Sequence, residues 1–297
     1  GVIQKPGSSF TVSGSTITFA SNLVTNDVID FIQILGDVLS IGTPSDATVT
    51  TAKLADDAVT AAKITDSTIT SGKLASGVVQ NQSAFKNIII NGDMSIAQRG
   101  TSFTSVSDTA YHLDRFQLYM QNESSVYTVT QESDAPSGLA KSLKLDVTTA
   151  DTSVASNEEV KLVHKIEGQN LQNIAKGTAD AKQITLSFYV KTNKTGLYAV
   201  KLFDADNSRD CSGSYTVADT NWNRYTITFP VDTTGTFDND NARSLEIQWW
   251  LVAGSAVQGG SLNTAWRSNA DSGSATGQIN FADSTSNDWQ LTGCQLE

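Results

Sequence analysis

The chain has 297 residues, 39% of them hydrophobic and 17% charged, with a formal net charge of −11. Five Trp, seven Tyr and eleven Phe can supply a core, which excludes disorder along the whole length, and the length itself points to two or more structural units. The acidic balance offers nothing to nucleic acid or an anionic bilayer, no stretch approaches the ~20 apolar residues of a membrane span, and two cysteines, Cys211 and Cys294, read as buried thiols without disulfide or metal spacing.

In chain order, Phe10 to Ser13 and Thr16 to Phe19 alternate on either side of Gly14-Ser15, which signals a hairpin. Ile29, Phe31 and Leu35 support a further strand that Gly36 ends. Residues 1–46 therefore read as a small β domain, too short to bury much by itself.

Residues 47–80 repeat with period ten, as VTTAKLADDA, VTAAKITDST and ITSGKLASGV, with Thr50, Thr60 and Thr70 in register and Lys53, Lys63 and Lys73 likewise. One large aliphatic residue stands at every fifth position: Val49, Leu54, Val59, Ile64, Ile69, Leu74 and Val79. Neither a helix face nor a half-buried strand is spaced this way. A repeat this regular is one structural unit copied along an axis. Each copy reads as a single helical turn capped by its Thr, as from Thr50 to Ala55, and then an extended step at Ala58-Val59.

So sparse a set of aliphatic side chains cannot offset an ordering cost of ~1–2 kcal/mol per residue within one chain. Three chains around an axis would pool them as apolar layers, with Lys and Asp outside bridging neighbouring chains. The other reading is a solvated linker.

From Phe85 onward the text becomes short strands between Gly, Asn and Asp turns: NIIIN, RFQLYM, SLKLDV, ITLSFYVKT, YAVKLFDA, RYTITFPV, SLEIQWWLVAG and WQLTGCQLE. Residues 85–297 thus read as an antiparallel β-sandwich, a jelly roll, and the whole chain as all-β. Only HKIEGQNLQNIAKG suggests a helical turn, near Asn170 to Ala175.

Strand alternation sorts side chains between faces. It turns Leu245, Ile247, Trp249 and Leu251 inward and Glu246, Gln248, Trp250 and Val252 outward. It buries Ile184, Leu186, Phe188 and Val190 and exposes Thr185, Ser187, Tyr189 and Lys191. Phe116, Leu118 and Met120 go inward, leaving Gln117 and Tyr119 outside. A polar sheet face offering Trp250, Tyr189 and Tyr119 beside Gln117, Gln248, Glu246 and Lys191 suits sugars, whose C–H faces lie on aromatic rings while their hydroxyls bond to polar groups. Alternatively, the rings pack against a neighbouring subunit or under a loop. Trp266, in a loop-rich stretch, is a looser candidate.

Catalytic signatures are missing. His112 and His164 are the only histidines, and no H-E-x-x-H, G-x-S-x-G or phosphate-cradling glycine loop occurs. Glu158-Glu159 and Asp238 with Asp240 read as solvated loop acids. His112-Leu113-Asp114-Arg115 reads as a corner held by a charge-assisted bond. No enzymatic activity, cofactor or metal is expected.

NIIINGDMSIAQRGTSF, followed by YHLDRFQLYM, KIEGQNLQNI, ITLSFYVKTNKTG and the closing WQLTGCQLE, resembles a C-terminal domain found in many tailed-bacteriophage tail-fibre and appendage proteins, over nearly all of residues 85–297. That family looks like the carbohydrate-binding-module type of jelly roll. The decads are similar to repeats of trimeric phage fibres, and FTVSGSTITFA resembles small β domains found near them. The resemblance implies a homotrimeric virion fibre protein, made in the host cytoplasm, with the jelly roll at its tip. Its partners would be itself, other phage tail proteins and a bacterial surface polysaccharide. A polysaccharide depolymerase and a purely architectural virion protein remain as alternatives.

Modules of this type often hold a structural calcium ion through an acid just after the N-G pair and a late acidic pair. Here Ser95 and Thr292-Gly293 stand at those places, leaving Asp93 as the one oxygen donor.

Overall fold

The computed structural model describes residues 4–29, 31, 46–65, 68–69, 73 and 87–297. The chain separates into two compact units, Gly1–Ala75 and Ser76–Glu297. In the first, β1 (Phe10–Ser13) and β2 (Thr16–Phe19) form the expected hairpin, with Phe10 opposite Phe19 and Gly14 turning the chain at φ 59°. Ile29 and Phe31 belong to no strand and are exposed, and the rest of the strand expected through Leu35 lies outside the described residues.

Two decads each open with a single 3-10 turn, Thr51–Lys53 and Ala61–Lys63. The bonds repeat ten residues apart: Lys53 N–H donates to the Thr50 carbonyl and Lys63 N–H to that of Thr60, both at 2.9 Å. Thr50 precedes its turn but its side chain makes no capping bond, contrary to the sequence reading. Lys53 Nζ folds back on the Thr48 carbonyl at 2.6 Å and Lys63 Nζ on that of Ala58 at 2.8 Å, so each ammonium satisfies a carbonyl of its own chain. Val49, Leu54, Val59, Ile64 and Ile69 are 40–56% exposed, and Leu74 and Val79 lie outside the described residues.

The second unit continues with β3 (Ser102–Val106), β4 (Ala110–Tyr111), β5 (Phe116–Gln121), β6 (Val126–Glu132), β7 (Ser142–Thr149), β8 (Glu159–Glu167), β9 (Ile184–Thr192), β10 (Gly196–Asp204), β11 (Arg209–Val217), β12 (Asn223–Phe229) and β13 (Arg243–Ala253). A short helix α1 (Ser255–Gln258), β14 (Arg267–Ser268) and β15 (Asp288–Leu296) complete it. The strands pair antiparallel into a seven-stranded sheet, in the order β14-β11-β10-β13-β8-β5-β4, and a six-stranded one, in the order β12-β9-β15-β7-β6-β3. This is the all-β sandwich of jelly-roll type that the strand pattern predicts.

Leu245, Ile247, Trp249 and Leu251 of β13 and Ile184, Leu186, Phe188 and Val190 of β9 form the core between the sheets. Trp249 meets Phe188 edge-on at 5.9 Å and tilts against Phe116 at 6.2 Å, so the ring joins the two layers. Each such side chain contributes about 1.5–3 kcal/mol on full burial. Val252, expected outside, lies in this core because the β13–β8 register shifts between Trp250 and Val252.

The segment NIIIN forms no strand, although its composition suggests one. Its asparagines use the backbone directly: Asn87 Oδ1 accepts from Ile89 and Leu296 N–H, and Asn91 Nδ2 donates to the Ile96 and Asp114 carbonyls. Gly92 sits so close to β15 that a Cβ would stand 2.2 Å from the Cys294 carbonyl oxygen. The helical turn expected near Asn170 to Ala175 is present as two 3-10 turns, Gly168–Asn170 and Gln172–Ile174. Both cysteines are buried and unpaired, and burial pushes the Cys211 thiol up to about 12. No helix among the described residues is long and apolar enough to cross a membrane.

Candidate functional site: a polar groove on the seven-stranded sheet

β10, β13, β8, β5 and β4 lie side by side, so their outward side chains form rungs across the sheet. One rung is Trp250, Lys161 and Tyr119. The next is Lys201, Gln248, Val163, Gln117 and Tyr111, and the third is Phe203, Glu246 and Lys165. With Asn269, Asp271 and Ser274, residues of these rungs line an open cavity of about 440 Å³, within the range of small-ligand sites.

Five sequence-predicted residues meet here: Trp250, Tyr119, Gln117, Gln248 and Glu246. Tyr189 and Lys191 stand on β9 in the six-stranded sheet, where the Lys191 ammonium pairs with Asp134 at 2.6 Å and Asp134 also accepts from Trp222 Nε1. Trp266 precedes β14, its Nε1 donating to the Pro230 carbonyl at 2.9 Å. Apart from Val252, the alternation sorts these strands as expected, but it assigns a face and not a sheet.

Trp250 is only 1% exposed, so it makes the groove floor rather than an open stacking platform. Ala199, Ala253 and Val257 of α1 pack with it, which is the loop-covered alternative for this ring. The Lys161 ammonium lies 4.4 Å from the Trp250 ring centre and 4.5 Å from that of Tyr119, and it pairs with Glu159 at 2.6 Å. Trp250 Nε1 and Gln248 Oε1 are buried without a partner among the described residues. Each such atom costs about 1–3 kcal/mol while unmatched.

Other polar groups are committed. Glu246 accepts from Arg243 at 2.8 Å and from Gln248 Nε2 at 2.7 Å. Lys201 pairs with Asp210 at 2.9 Å and donates to Asn269 Oδ1 and Ser274 Oγ; burial pulls its pKa below the usual lysine value while Asp210 opposes the shift. The Tyr119 phenol is raised first by burial, then by the charges of Glu159 and Glu246.

Lys161, Lys165, Lys201 and Arg243 are groove residues that the sequence reading does not name. A signal for two of them exists in EVKLVHKIE, where buried Val160, Leu162, His164 and Ile166 alternate with Lys161, Val163 and Lys165.

At the corner, His112 is buried edge-on to Phe103 with Nδ1 unpartnered among the described residues. Asp114 accepts from Gln98 N–H at 2.6 Å, and Arg115 pairs with Glu167 at 2.6 Å. Asp240 accepts from its neighbour Ala242 N–H. Glu158 and Glu159 diverge, Glu159 to Lys161 and Glu158 to a cluster with Asp151 and Glu123 whose oxygens lie within 4.8 Å of one another. Oxygen donors of this kind suit a hard cation. Burial first, with Glu158 and Asp151 adding to it, holds the Glu123 carboxyl above its ordinary range.

The calcium position implied by the family resemblance does not fit. Asp93 is exposed and already accepts from the Ser95 N–H and hydroxyl, while Thr292 Oγ1 donates to the Lys141 carbonyl.

No family model matches the chain, and no curated protein matches its sequence. Among solved structures, the enzymatically active domain of bacteriophage CBA120 tailspike protein 4 is similar over 71% of this chain, at 12% identity and a TM-score of 0.33; the match spans 21% of that longer chain. A Family 16 carbohydrate-binding module matches over 71% of this chain and 99% of its own, at 13% identity and a TM-score of 0.34. A Family 11 carbohydrate-binding module from Clostridium thermocellum, in complex with a β-1,3-1,4-mixed-linked tetrasaccharide, matches over 66% and 96%, at 12% identity and a TM-score of 0.31.

Proposed function

We propose that this chain belongs to a homotrimeric phage tail fibre in the virion, and that its sandwich holds a bacterial surface polysaccharide without cleaving it. The groove carries the glycan half of this reading. Its open cavity of about 440 Å³ sets the polar side chains of Gln117, Gln248 and Lys161 beside the Tyr119 ring. The threefold half is supported by the exposure of Val49, Leu54, Val59, Ile64 and Ile69, which find no core within one chain. Three sites per fibre would raise the effective affinity of weak individual sugar contacts.

The test is retention of the full chain on immobilised bacterial surface polysaccharides, for the wild type and for Gln117→Ala and Tyr119→Ala. Each substitution should weaken binding by roughly tenfold, the loss of about one good hydrogen bond or ring contact. Undiminished retention by both variants would remove the groove from consideration. Shortened glycan after incubation would make the protein a depolymerase.

A further inference from the structure

Beside the groove lies a second cavity of about 320 Å³. Arg99, Arg115, Lys165 and Arg243 bring four cations to its wall, against the carboxylates of Asp114 and Glu167. This is a local positive excess on a chain whose net charge is −11. Three of the cations are engaged: Arg99 with Asp114 at 3.5 Å, Arg115 with Glu167 at 2.6 Å and Arg243 with Glu246 at 2.8 Å.

Lys165 forms no ion pair among the described residues. Its register partner on β13 is Glu246, but that carboxylate already accepts from Arg243 and Gln248. Its ammonium instead lies 5.6 Å from the ring centre of Tyr111, which the Arg99 guanidinium approaches from 5.8 Å. Arg99 and Arg243 each make one such contact, although a guanidinium carries five N–H donors. Lys165 and Arg243 line both cavities, so a ligand in the groove can extend into the second one.

We infer that the polysaccharide is acidic, and that a carboxylate or phosphate on one sugar unit enters the second cavity to pair with Lys165, between the free N–H groups of Arg99 and Arg243. The inference rests on the glycan reading above and adds the ligand's charge. Glu159, Glu246 and Asp271 bring carboxylates to the groove itself, so the preference for an anion is confined to the second cavity.

The probe is a set of immobilised bacterial capsular polysaccharides and lipopolysaccharide O-chains. Each is presented native, after carboxyl reduction and after removal of phosphate, to the full chain as wild type, Lys165→Gln and Lys165→Arg. Melting temperatures establish that the variants fold. The expected result is retention on a native polymer that one of the two treatments abolishes, which identifies the anion. Lys165→Gln should weaken it by on the order of tenfold, Lys165→Arg should restore it, and added salt should weaken it further. Retention insensitive to both treatments would overturn the acidic ligand while leaving glycan recognition standing. Anion-dependent retention that Lys165→Gln does not change would overturn the placement at this cavity. Failure to retain any polymer would overturn both readings.

Discussion

In the decad segment Val49, Leu54, Val59, Ile64 and Ile69 are all at least 40% exposed, whereas in the sandwich Leu143, Leu145, Leu186 and Leu202 are wholly buried. The residue types are the same, and spacing makes the difference. β7 and β9 place an apolar side chain at every second residue, and two sheets close over them. The decads place one at every fifth residue, and the described residues there bond through local turns, lysine-to-carbonyl contacts and the Thr68 hydroxyl to the Thr65 carbonyl. A region of the first kind can stabilise itself, and one of the second kind buries its aliphatic side chains only against apolar surface from outside the chain, which the proposed trimer would supply.

Three measurements bear on that contrast. The largest effect is expected from the double substitution Leu54→Asp and Ile64→Asp, which should reduce the mass seen by light scattering from the three chains of the proposed trimer to one while the sandwich melts at its usual temperature. A surviving trimer would break the comparison. Next, Trp249→Ala should cost about 3–5 kcal/mol and lower the sandwich melting temperature by roughly 10 °C, with the mass of the proposed trimer retained. Loss of the trimer as well would mean that the two regions are not independent.

The smallest effect concerns pH. Burial holds His164 at a pKa of about 4, against the bond from its Nε2 to the Ile90 carbonyl, and His112 is lowered in the same direction, chiefly by burial. A depressed folded pKa means stability that is whole above the unfolded value of about 6.5 and is lost as pH falls towards 4, on the order of 3 kcal/mol for His164. Denaturant titrations between pH 7 and pH 4 should show this in the sandwich. The decads contain no histidine, so the proposed trimer should persist over the same window. A sandwich of constant stability across it would contradict the buried neutral imidazole.

Much of the sandwich is legible in the sequence because alternation on β5, β9 and β13 is strict enough to separate core from outer side chains. Trp249 and Trp250 show the reach of that rule: it puts them on opposite faces, and so they are. What it cannot give is which sheet a strand joins, which is why Tyr189 and Lys191 stand apart from Tyr119 and Trp250. Nor does it see that a loop carrying Val257 covers an outward ring, that a register shift redirects Val252, or that Asn87 and Asn91 divert an apolar run from pairing. Glu123, Asp151 and Glu158 come from separate stretches of chain, and no spacing rule joins them.

β15 is the last of the described strands, yet it lies inside its sheet, hydrogen-bonded to β7 on one side and β9 on the other, with Asp288 opposite Asp146. Its N–H of Cys294 also bonds to Gly92 at the opposite end of the same unit. During translation, the six-stranded layer cannot close until β15 has been synthesised and has emerged from the ribosome. Until then β7 and β9 each keep an open edge, a stage at which a nascent chain is vulnerable to wrong partners. The decads are synthesised earlier, so sister chains able to meet through them could do so while their sandwiches are still incomplete.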